Sequence, residues 1–352
     1  MKILVLVLRR LGDVLLATPL MRSLRRAYPE ATIDALVYAG QEGMLEGNPD
    51  CNAVIGIDPY PDRAGYLQLL RRMGRRYDLA LTTQANDRSH IYAWLFARRR
   101  IGLVPDMRRS SAWKRASCSA YAVLDDFNTH TVVQNLVLAD LLGIARDYEV
   151  VPPQADETAL PVKNLEPYAV LHPYPKFNYK QWTREGWKSL IAWLGDQGLR
   201  VVLSGGPDRD EKAYSAALAS ANTVNFTGKL RLAELSALYR KARLFVGPDT
   251  STTHLAAACG VPTLALFGPT NPVKWGPWPA RYSGPNPYQR RGRPWQRAGN
   301  VILLQGVQPA DLGRCLPCHL EGCERRITSF SRCLIEMPLD PITAAAEQLL
   351  RS

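Results

Sequence analysis

The most informative stretch for the fold is VGPDTSTTHLAAACGVPTLALFGPTNP, residues 246–272. Its first residues end a hydrophobic strand that turns at Gly247-Pro248. A helix of small residues follows at once, and a second apolar strand, 261–267, ends in another Gly-Pro. A strand, a tight turn, a helix and a strand in this order predict one βαβ unit of a parallel sheet.

The same alternation continues through the rest of the chain. Short apolar runs ended by turn residues predict strands, and apolar residues at spacings of three and four predict helices. Strands are expected at 2–8, 32–38, 53–57, 79–83, around Ile101, and within 168–173, 200–208, 223–228 and 243–249. Helices are expected near 14–28, 66–76, 89–98, 131–142, 232–241 and 250–258, and from Thr183 and Arg209, with an irregular loop at 270–300. Two successive sets of such units predict an α/β protein with two doubly wound parallel sheets.

At 352 residues the chain exceeds the size that one hydrophobic core usually serves. The polar, Pro-rich segment 150–161 is typical of an interdomain linker. We therefore expect an N-terminal domain over 1–155 and a C-terminal domain over 156–335. A final helix within 336–352 is expected to pack back on one of the two domains, and the N-terminal domain is one of these candidates.

The chain carries a formal net charge of +12, and basic residues concentrate at 97–115. Such a segment is either a solvated face or a contact for an anionic partner, and we favour a peripheral contact with an anionic membrane surface. Neither paired zinc-finger histidines nor an aromatic RNP-like strand accompanies it, so no nucleic-acid partner is expected. No apolar run approaches the ~20 residues of a membrane helix. The apolar opening is short and no cleavage site follows it directly, which favours a cytoplasmic protein.

The start of the predicted helix 250–258 is suited to a phosphate. The first turn of a helix carries backbone N–H groups without partners and a partial positive charge. The hydroxyls of Thr250 and Ser251 add donors there, and Asp249 and His254 flank them. Asp249 alone could be a helix cap and His254 a structural histidine, but their convergence at one strand end favours a binding site.

Two further strand ends in the second half carry polar side chains. Lys176 and Lys180 lie in the loop after the strand at 168–173, where either could meet a phosphate or simply face solvent. Gly205 and Gly206 would let the backbone approach a ligand closely. Asp208 could bind ribose hydroxyls or cap the next helix. Neither GxGxxG nor GxxxxGK[ST] is present, which excludes the standard dinucleotide and P-loop motifs.

In the first half, Arg9, Arg10, Gly12 and Asp13 follow the first strand. Gly12 permits a tight turn, and Asp13 is placed to open the next helix as its cap. The same carboxylate, at the carboxyl end of a strand, could take a proton from an attacking hydroxyl. The two arginines suit phosphates on an acceptor.

Seven cysteines are present, and four of them lie close together near the end of the chain. Cys315, Cys318, Cys323 and Cys333 form C-x2-C-x4-C-x9-C, with His319 inside. This spacing allows a structural zinc or iron–sulfur site, and the alternative is a set of reduced thiols packed in a loop.

Several of these segments resemble glycosyltransferase family 9, the lipopolysaccharide heptosyltransferases. The resemblance rests on 9–29, 172–187, 201–211, 225–272 and the cysteine-bearing 315–323, in the family's order. It implies a GT-B fold, in which two Rossmann-like domains face each other across a cleft. The N-terminal domain would bind the acceptor and the C-terminal domain the nucleotide-sugar.

The resemblance also implies a reaction and roles for single residues. The reaction is an inverting, metal-independent transfer from ADP-L-glycero-D-manno-heptose to the inner core of lipopolysaccharide, which is linked to lipid A in the inner membrane. Asp13 matches the family's base, Lys180 the lysine that meets the donor diphosphate, and Asp208 the ribose-binding acid. The donor-binding segment is matched by Asp249, Thr250, Ser251 and His254. The tail resembles the branch that adds later heptoses, and the third is favoured.

Three alternatives stay open from the sequence. The chain could use another nucleotide-sugar donor, because the loop 172–187 and the run 251–253 depart from the family's pattern. It could be a sugar-nucleotide epimerase of similar two-domain build. The charge and the cysteines also allow a metal-dependent nucleic-acid binder.

Overall fold

The computed structural model of the protein describes residues 1–155, 165–290, 295–313 and 315–351, with the backbone only at 108–110. The chain divides into two units, Met1–Pro153 and Gln154–Ser352. The division lies within the Pro-rich segment predicted as a linker, of which residues 156–161 lie outside the described part.

The N-terminal unit is built on a six-stranded parallel sheet with the order β3-β2-β1-β4-β5-β6. Its strands are β1 (Lys2–Val7), β2 (Thr32–Tyr38), β3 (Ala53–Ile57), β4 (Tyr77–Thr82), β5 (Ala97–Val104) and β6 (Ala120–Val123). β1 is central, and its Val5 pairs with Ala35 on one side and Leu81 on the other. Burial on both faces explains why β1 is an almost uninterrupted apolar run.

The helices of this unit are α1 (Leu11–Leu16), α2 (Thr18–Ala27), α3 (Arg63–Met73), α4 (Asp87–Phe96), α5 (Arg108–Ser117) and α6 (Thr131–Asp140), with a 3-10 turn at Glu42–Leu45. The single helix predicted at 14–28 is two helices that meet at Ala17, because Pro19 in the first turn of α2 has no N–H for a continuous ladder. The basic segment 97–115 consists of β5 and most of α5, a helix that the sequence analysis did not predict.

The C-terminal unit is built on a seven-stranded sheet with the order β12-β13-β11-β10-β7-β8-β9, parallel except for the β12–β13 pair. Its strands are β7 (Tyr168–Leu171), β8 (Arg200–Leu203), β9 (Thr223–Asn225), β10 (Leu244–Pro248), β11 (Thr263–Phe267), β12 (Trp295–Ala298) and β13 (Val301–Gln305). The segment 270–300, expected to be irregular, includes β12 and a short helix, Pro272–Trp275; its residues 291–294 lie outside the described part.

The helices of the C-terminal unit are α7 (Arg184–Asp196), α8 (Arg209–Ala216), α9 (Leu232–Lys241), α10 (Ser251–Ala258), α11 (Pro272–Trp275), α12 (Arg332–Ile335) and α13 (Asp340–Leu350), with a 3-10 turn at Asn178–Lys180. Of the two domains considered for the final helix, the C-terminal one receives its apolar face. The apolar face of α13 belongs to the core of the C-terminal unit, where it covers β11 and β13. The indole N–H of Trp182 also donates to the carbonyl of Met337 at 3.0 Å, which ties the chain leading into α13 to the same unit. None of the helices in the described ranges is long and apolar enough to cross a bilayer.

Both sheets reverse their strand order once. In the N-terminal unit the reversal lies between β1 and β4, and in the C-terminal unit between β7 and β10. Loops that leave adjacent parallel strands on opposite sides of such a point diverge, and the crevice between them is where ligands of doubly wound sheets bind. A ligand site is therefore expected at the segments that follow β1, β4, β7 and β10.

The packing of α13 predicts a local loss of stability on truncation of its buried face. Ile342→Ala should destabilise the C-terminal unit by about 3 kcal/mol, because Ile342 is fully buried in this core. Amide hydrogen exchange in β11 and β13 should accelerate. Gln348→Ala, at an exposed position of the same helix, is the matched control. Equal exchange in the two variants would contradict the packing described.

Candidate active site

Asp13 lies at the switch point of the N-terminal sheet, in the helix that follows β1. It occupies the third position of α1 and not the cap position, because the helix begins at Leu11 with Arg10 as its cap. The Asp13 side chain is 5% exposed. Its Oδ1 lies 3.6 Å from the Nη1 of Arg9 and accepts no hydrogen bond within the described part of the chain.

The environment of Asp13 favours the protonated form more than water does. Burial raises the pKa of the Asp13 carboxyl above its ordinary value, although Arg9, the backbone N–H of Arg10 and a hydrogen bond from Gln84 act in the opposite direction. A buried carboxylate with a raised pKa and an oxygen that accepts no hydrogen bond in the described part of the chain has the properties of a general base.

Gln84 is a site residue that the sequence analysis missed. It follows β4, the strand next to β1 across the switch point, and its buried side chain hydrogen-bonds the Asp13 carboxylate. Its position two residues after the end of β4 is the signal that could have found it, because the carboxyl ends of β1 and β4 meet at one edge of the sheet.

The two arginines beside Asp13 differ in their surroundings. The Arg9 side chain is half exposed and forms the ion pair with Asp13, while the Gln41 amide donates to the backbone carbonyl of Arg9 at 2.9 Å. Arg10 is exposed and caps α1 through its extended backbone. The structure therefore brings Arg9 to the predicted base and leaves Arg10 at the surface.

In the C-terminal unit, α10 begins directly after β10 at the second switch point. Thr250 is the cap residue, yet its side chain makes no capping hydrogen bond to the helix backbone. Its hydroxyl lies 2.8 Å from that of Thr252 and 3.2 Å from that of Thr253, which in turn donates to the carbonyl of Pro248 at 2.5 Å. The N–H of Thr253 donates to the carbonyl of Thr250 at 3.2 Å, but no side chain of this cap takes up the N–H groups of Ser251 and Thr252, so these and the partly exposed Ser251 hydroxyl can receive an anion.

A buried ion pair joins the two strands that flank this switch point. Lys180 follows β7 and Asp249 follows β10, and Lys180 Nζ lies 2.6 Å from Asp249 Oδ2. Asp249 is 6% exposed, whereas the Lys180 side chain keeps 17% exposure. The buried rings of Tyr179 and Trp182 anchor the loop on both sides of Lys180, while Lys176 is exposed. Of the two candidate lysines, the structure therefore places Lys180 at the site.

The protonation states in this cluster follow from burial and from Lys180. Burial would raise the pKa of the Asp249 carboxyl, but the charge and hydrogen bond of Lys180 outweigh it, helped by His254 and a hydrogen bond with Thr270, and the pKa lies below its ordinary value. Burial lowers the pKa of His254 to about 4, so its imidazole is neutral at physiological pH. Thr270 follows β11 and is a second residue that the sequence analysis missed.

The space beside the loop after β8 is filled by the side chain of Glu211. Asp208 is the cap of α8 and accepts a hydrogen bond from the Asp210 N–H at 2.9 Å, which is one of the two roles the sequence left open. A Cβ on Gly205 would lie 2.9 Å from the carboxylate of Glu211, and one on Gly206 2.8 Å from it. The two glycines therefore make room for Glu211, whose carboxylate also lies 3.8 Å from the ring of buried His172.

The structure does not support a metal site at the four C-terminal cysteines. In the described ranges, which include all four, no three or more His, Cys, Asp or Glu side chains are grouped so that they could hold a metal ion. All four are free thiols, and they differ in surroundings: Cys333 is buried in the apolar core, while Cys323 is exposed. Burial raises the pKa of Cys333 to about 12, with further contributions from the three other thiols, so it is a neutral thiol at physiological pH.

Comparison with known proteins points to one family. Residues 66–290 match the sequence profile of glycosyltransferase family 9 (heptosyltransferase). Lipopolysaccharide heptosyltransferase 3 of Escherichia coli is 31% identical over 288 residues, which cover 76% of this chain and 82% of that protein. The fold is similar to that of a glycosyl transferase family 9 protein from Veillonella parvula, with a TM-score of 0.77 and 21% identity over 99% of this chain and 97% of that chain. It is also similar to the ADP-heptose LPS heptosyltransferase II of E. coli, with a TM-score of 0.73 and 22% identity over 100% and 99% of the two chains.

The Lys180–Asp249 pair predicts a non-additive pair of substitutions. Lys180→Met should lower the free energy of unfolding by about 2 kcal/mol or more, because it leaves Asp249 buried without its cation. Asp249→Asn should also destabilise. The double variant should lose clearly less than the sum of the two, since it removes both charges. Chemical denaturation of the four proteins measures this, and strictly additive losses would contradict a coupled pair.

Proposed function

The chain belongs to glycosyltransferase family 9, whose members are heptosyltransferases, and on that premise we propose that it moves a heptose from ADP-L-glycero-D-manno-heptose to the inner core of a lipopolysaccharide. The protein is a glycosyltransferase with two α/β units of the GT-B kind. The donor and acceptor are argued from the names of its relatives and from the chemistry of the two switch points. Because the chain belongs to a glycosyltransferase family, we do not pursue the alternatives of a sugar-nucleotide epimerase or a nucleic-acid binder.

The observation that carries the mechanism is the buried carboxylate of Asp13 with one oxygen that accepts no hydrogen bond in the described part of the chain. An acceptor hydroxyl is a weak nucleophile until its proton is removed, and Asp13 would remove it. Gln84 and the backbone of Arg10 hold the carboxylate in place. Arg9 and Arg10 supply cations for phosphates on the acceptor.

The C-terminal unit would bind the donor. A nucleoside diphosphate leaves as an anion, and the first turn of α10 with Thr250 and Ser251 offers N–H and hydroxyl donors for it. Lys180 has three N–H donors, of which one reaches Asp249, so the ammonium can also reach a phosphate. Neutral His254 lies beside this pair, and Asp208, an exposed carboxylate whose Oδ1 caps α8, is assigned to the ribose hydroxyls. Attack on the face opposite the diphosphate inverts the anomeric carbon, and neither a second carboxylate nor a resident metal is assigned to the step.

For the acceptor we propose a core that already carries heptose, with the third heptose as the product. The support is the identity of 31% to heptosyltransferase 3 of E. coli over most of both chains. Because such an acceptor is anchored in lipid, the protein would work as a peripheral enzyme at the cytoplasmic face of the inner membrane.

Transfer by the wild type and by Asp13→Asn tests the function. The wild type, given ADP-heptose and a truncated core oligosaccharide, should yield a product heavier by one heptose in mass spectrometry. Asp13→Asn should lower kcat at least about 100-fold with little change in donor affinity, because the amide cannot accept the proton. The wild-type rate should fall on acidification at a higher pH than an ordinary aspartate would give, since burial raises the pKa of Asp13 and only the carboxylate acts as base.

Asp196→Asn, at an exposed position of α7, is the matched control and should keep full turnover. Transfer of a different sugar with no reaction of ADP-heptose would refute the proposed donor. Full turnover by Asp13→Asn would refute the base while leaving the family assignment intact.

A further inference from the structure

An exposed aromatic groove lies between α4 and α5 of the N-terminal unit, on residues that the proposed reaction does not use. Ile91, Trp94, Trp113 and Ser117 line it, and its volume is about 340 Å³. Trp94 is 53% exposed, Ile91 46% and Trp113 41%. Ile91 and Trp94 are three positions apart and so share one face of α4. Large apolar side chains grouped in this way on a protein surface mark an interaction site.

Contacts between α4 and α5 fix the two sides of the groove. Lys114 of α5 is buried, and its ammonium lies 2.7 Å from the carboxylate of Asp87 and 3.0 Å from the carbonyl of Ala85. The rings of Trp113 and His90 pack nearly perpendicular to each other, with a centroid distance of 6.1 Å. These contacts fix α5 against the start and middle of α4, so the two tryptophans are presented by a rigid pair of helices.

The segment that carries the groove is basic in sequence. Residues 87–123 contain eight Lys or Arg and two acidic residues, Asp87, which pairs with Lys114, and Asp106. Arg100 reaches the groove directly, since its Nε donates to the carbonyl of Ser117 at 2.5 Å. Arg98 and Arg99, in the same strand, are exposed.

The apolar surface continues from α5 onto β6, the edge strand of the sheet. The guanidinium of Arg115 lies over the ring of Tyr121, 5.4 Å from its centroid. Tyr121 and Val123 are two residues apart, and so on one face of β6, and they are 41% and 42% exposed. We call the groove, Arg100, Arg115 and these two residues the α4–α5 surface.

We propose that the α4–α5 surface docks the enzyme on a bilayer that contains anionic phospholipids. Tryptophan and tyrosine rings partition to the level of the headgroups, and arginines beside them attract anionic headgroups. This inference rests on the proposed function, because a lipid-anchored acceptor has to be reached at a membrane. It adds the surface and the side chains that make the contact.

Two other occupants fit the surface less well. A second copy of the chain in a two-fold dimer would place the same basic segment against itself, which like-charge repulsion opposes. A nucleic acid could stack on the tryptophans, but it gains nothing from the aliphatic side chains of Ile91 and Val123. An anionic bilayer is complementary to both the charge and the apolar side chains.

Sedimentation with vesicles tests the proposal. The wild type should bind vesicles of phosphatidylglycerol and phosphatidylethanolamine, bind phosphatidylcholine vesicles weakly, and lose binding as salt is raised. Trp94→Ser combined with Trp113→Ser should weaken binding to the anionic vesicles at least about tenfold. Trp295→Ser, at an exposed tryptophan of the C-terminal unit, is the matched control and should bind like the wild type. Circular dichroism verifies that each variant is folded.

Activity separates this proposal from the proposed function. The double tryptophan variant should transfer heptose normally to a soluble, delipidated acceptor and poorly to an acceptor embedded in anionic vesicles. Equal vesicle binding by the variant and the wild type would overturn the proposal. So would tighter binding to a single-stranded oligonucleotide at the same salt, or a dimer in light scattering that the tryptophan substitutions dissociate. Vesicle binding through Trp94 without any heptose transfer would support the docking surface and refute the proposed function.

Discussion

The reversal of strand order in each sheet is the constraint on which the site depends. A parallel sheet wound in both directions has one point where neighbouring strands send their loops apart, and only there does the backbone leave a crevice. In this protein β1 and β4 flank that point in one unit, and β7 and β10 in the other. Asp13 and Gln84 meet at the first, and Lys180 and Asp249 meet at the second.

The aspartates at the two switch points have pKa values that are shifted in opposite directions. Asp13 is buried, and its interactions with Arg9, Arg10 and Gln84 offset the effect of burial only in part, so its pKa is raised. Asp249 is equally buried, but Lys180 sits 2.6 Å from its carboxylate and holds its pKa below the ordinary value. Carboxylates whose environments push their pKa values apart usually have different roles. A proton acceptor and a permanently charged partner for a cation are the roles that these environments suit.

The sequence predicted what depends on local pattern and missed what depends on contacts between distant segments. Buried strands are short apolar runs, so β1, β2 and β3 were visible, and side chains just after them, such as Asp13, were placed at the sheet edge. The hydrogen bonds of Gln84 and Thr270 depend on which strands are neighbours in the sheet, and the sequence around each residue does not show that. The packing of α13 on β11 and β13 stayed open from the sequence, because an amphipathic helix does not show which sheet it covers. Cysteine spacing suggested a metal, yet spacing does not fix where each thiol points.

We propose that the carboxyl edge of the second sheet holds the leaving diphosphate, and a crystal structure with bound ADP is the decisive measurement. Phosphate oxygens should lie within hydrogen-bond distance of the first-turn N–H groups of α10 and of Lys180 Nζ. A diphosphate bound elsewhere, with Lys180 contacting only Asp249, would contradict it.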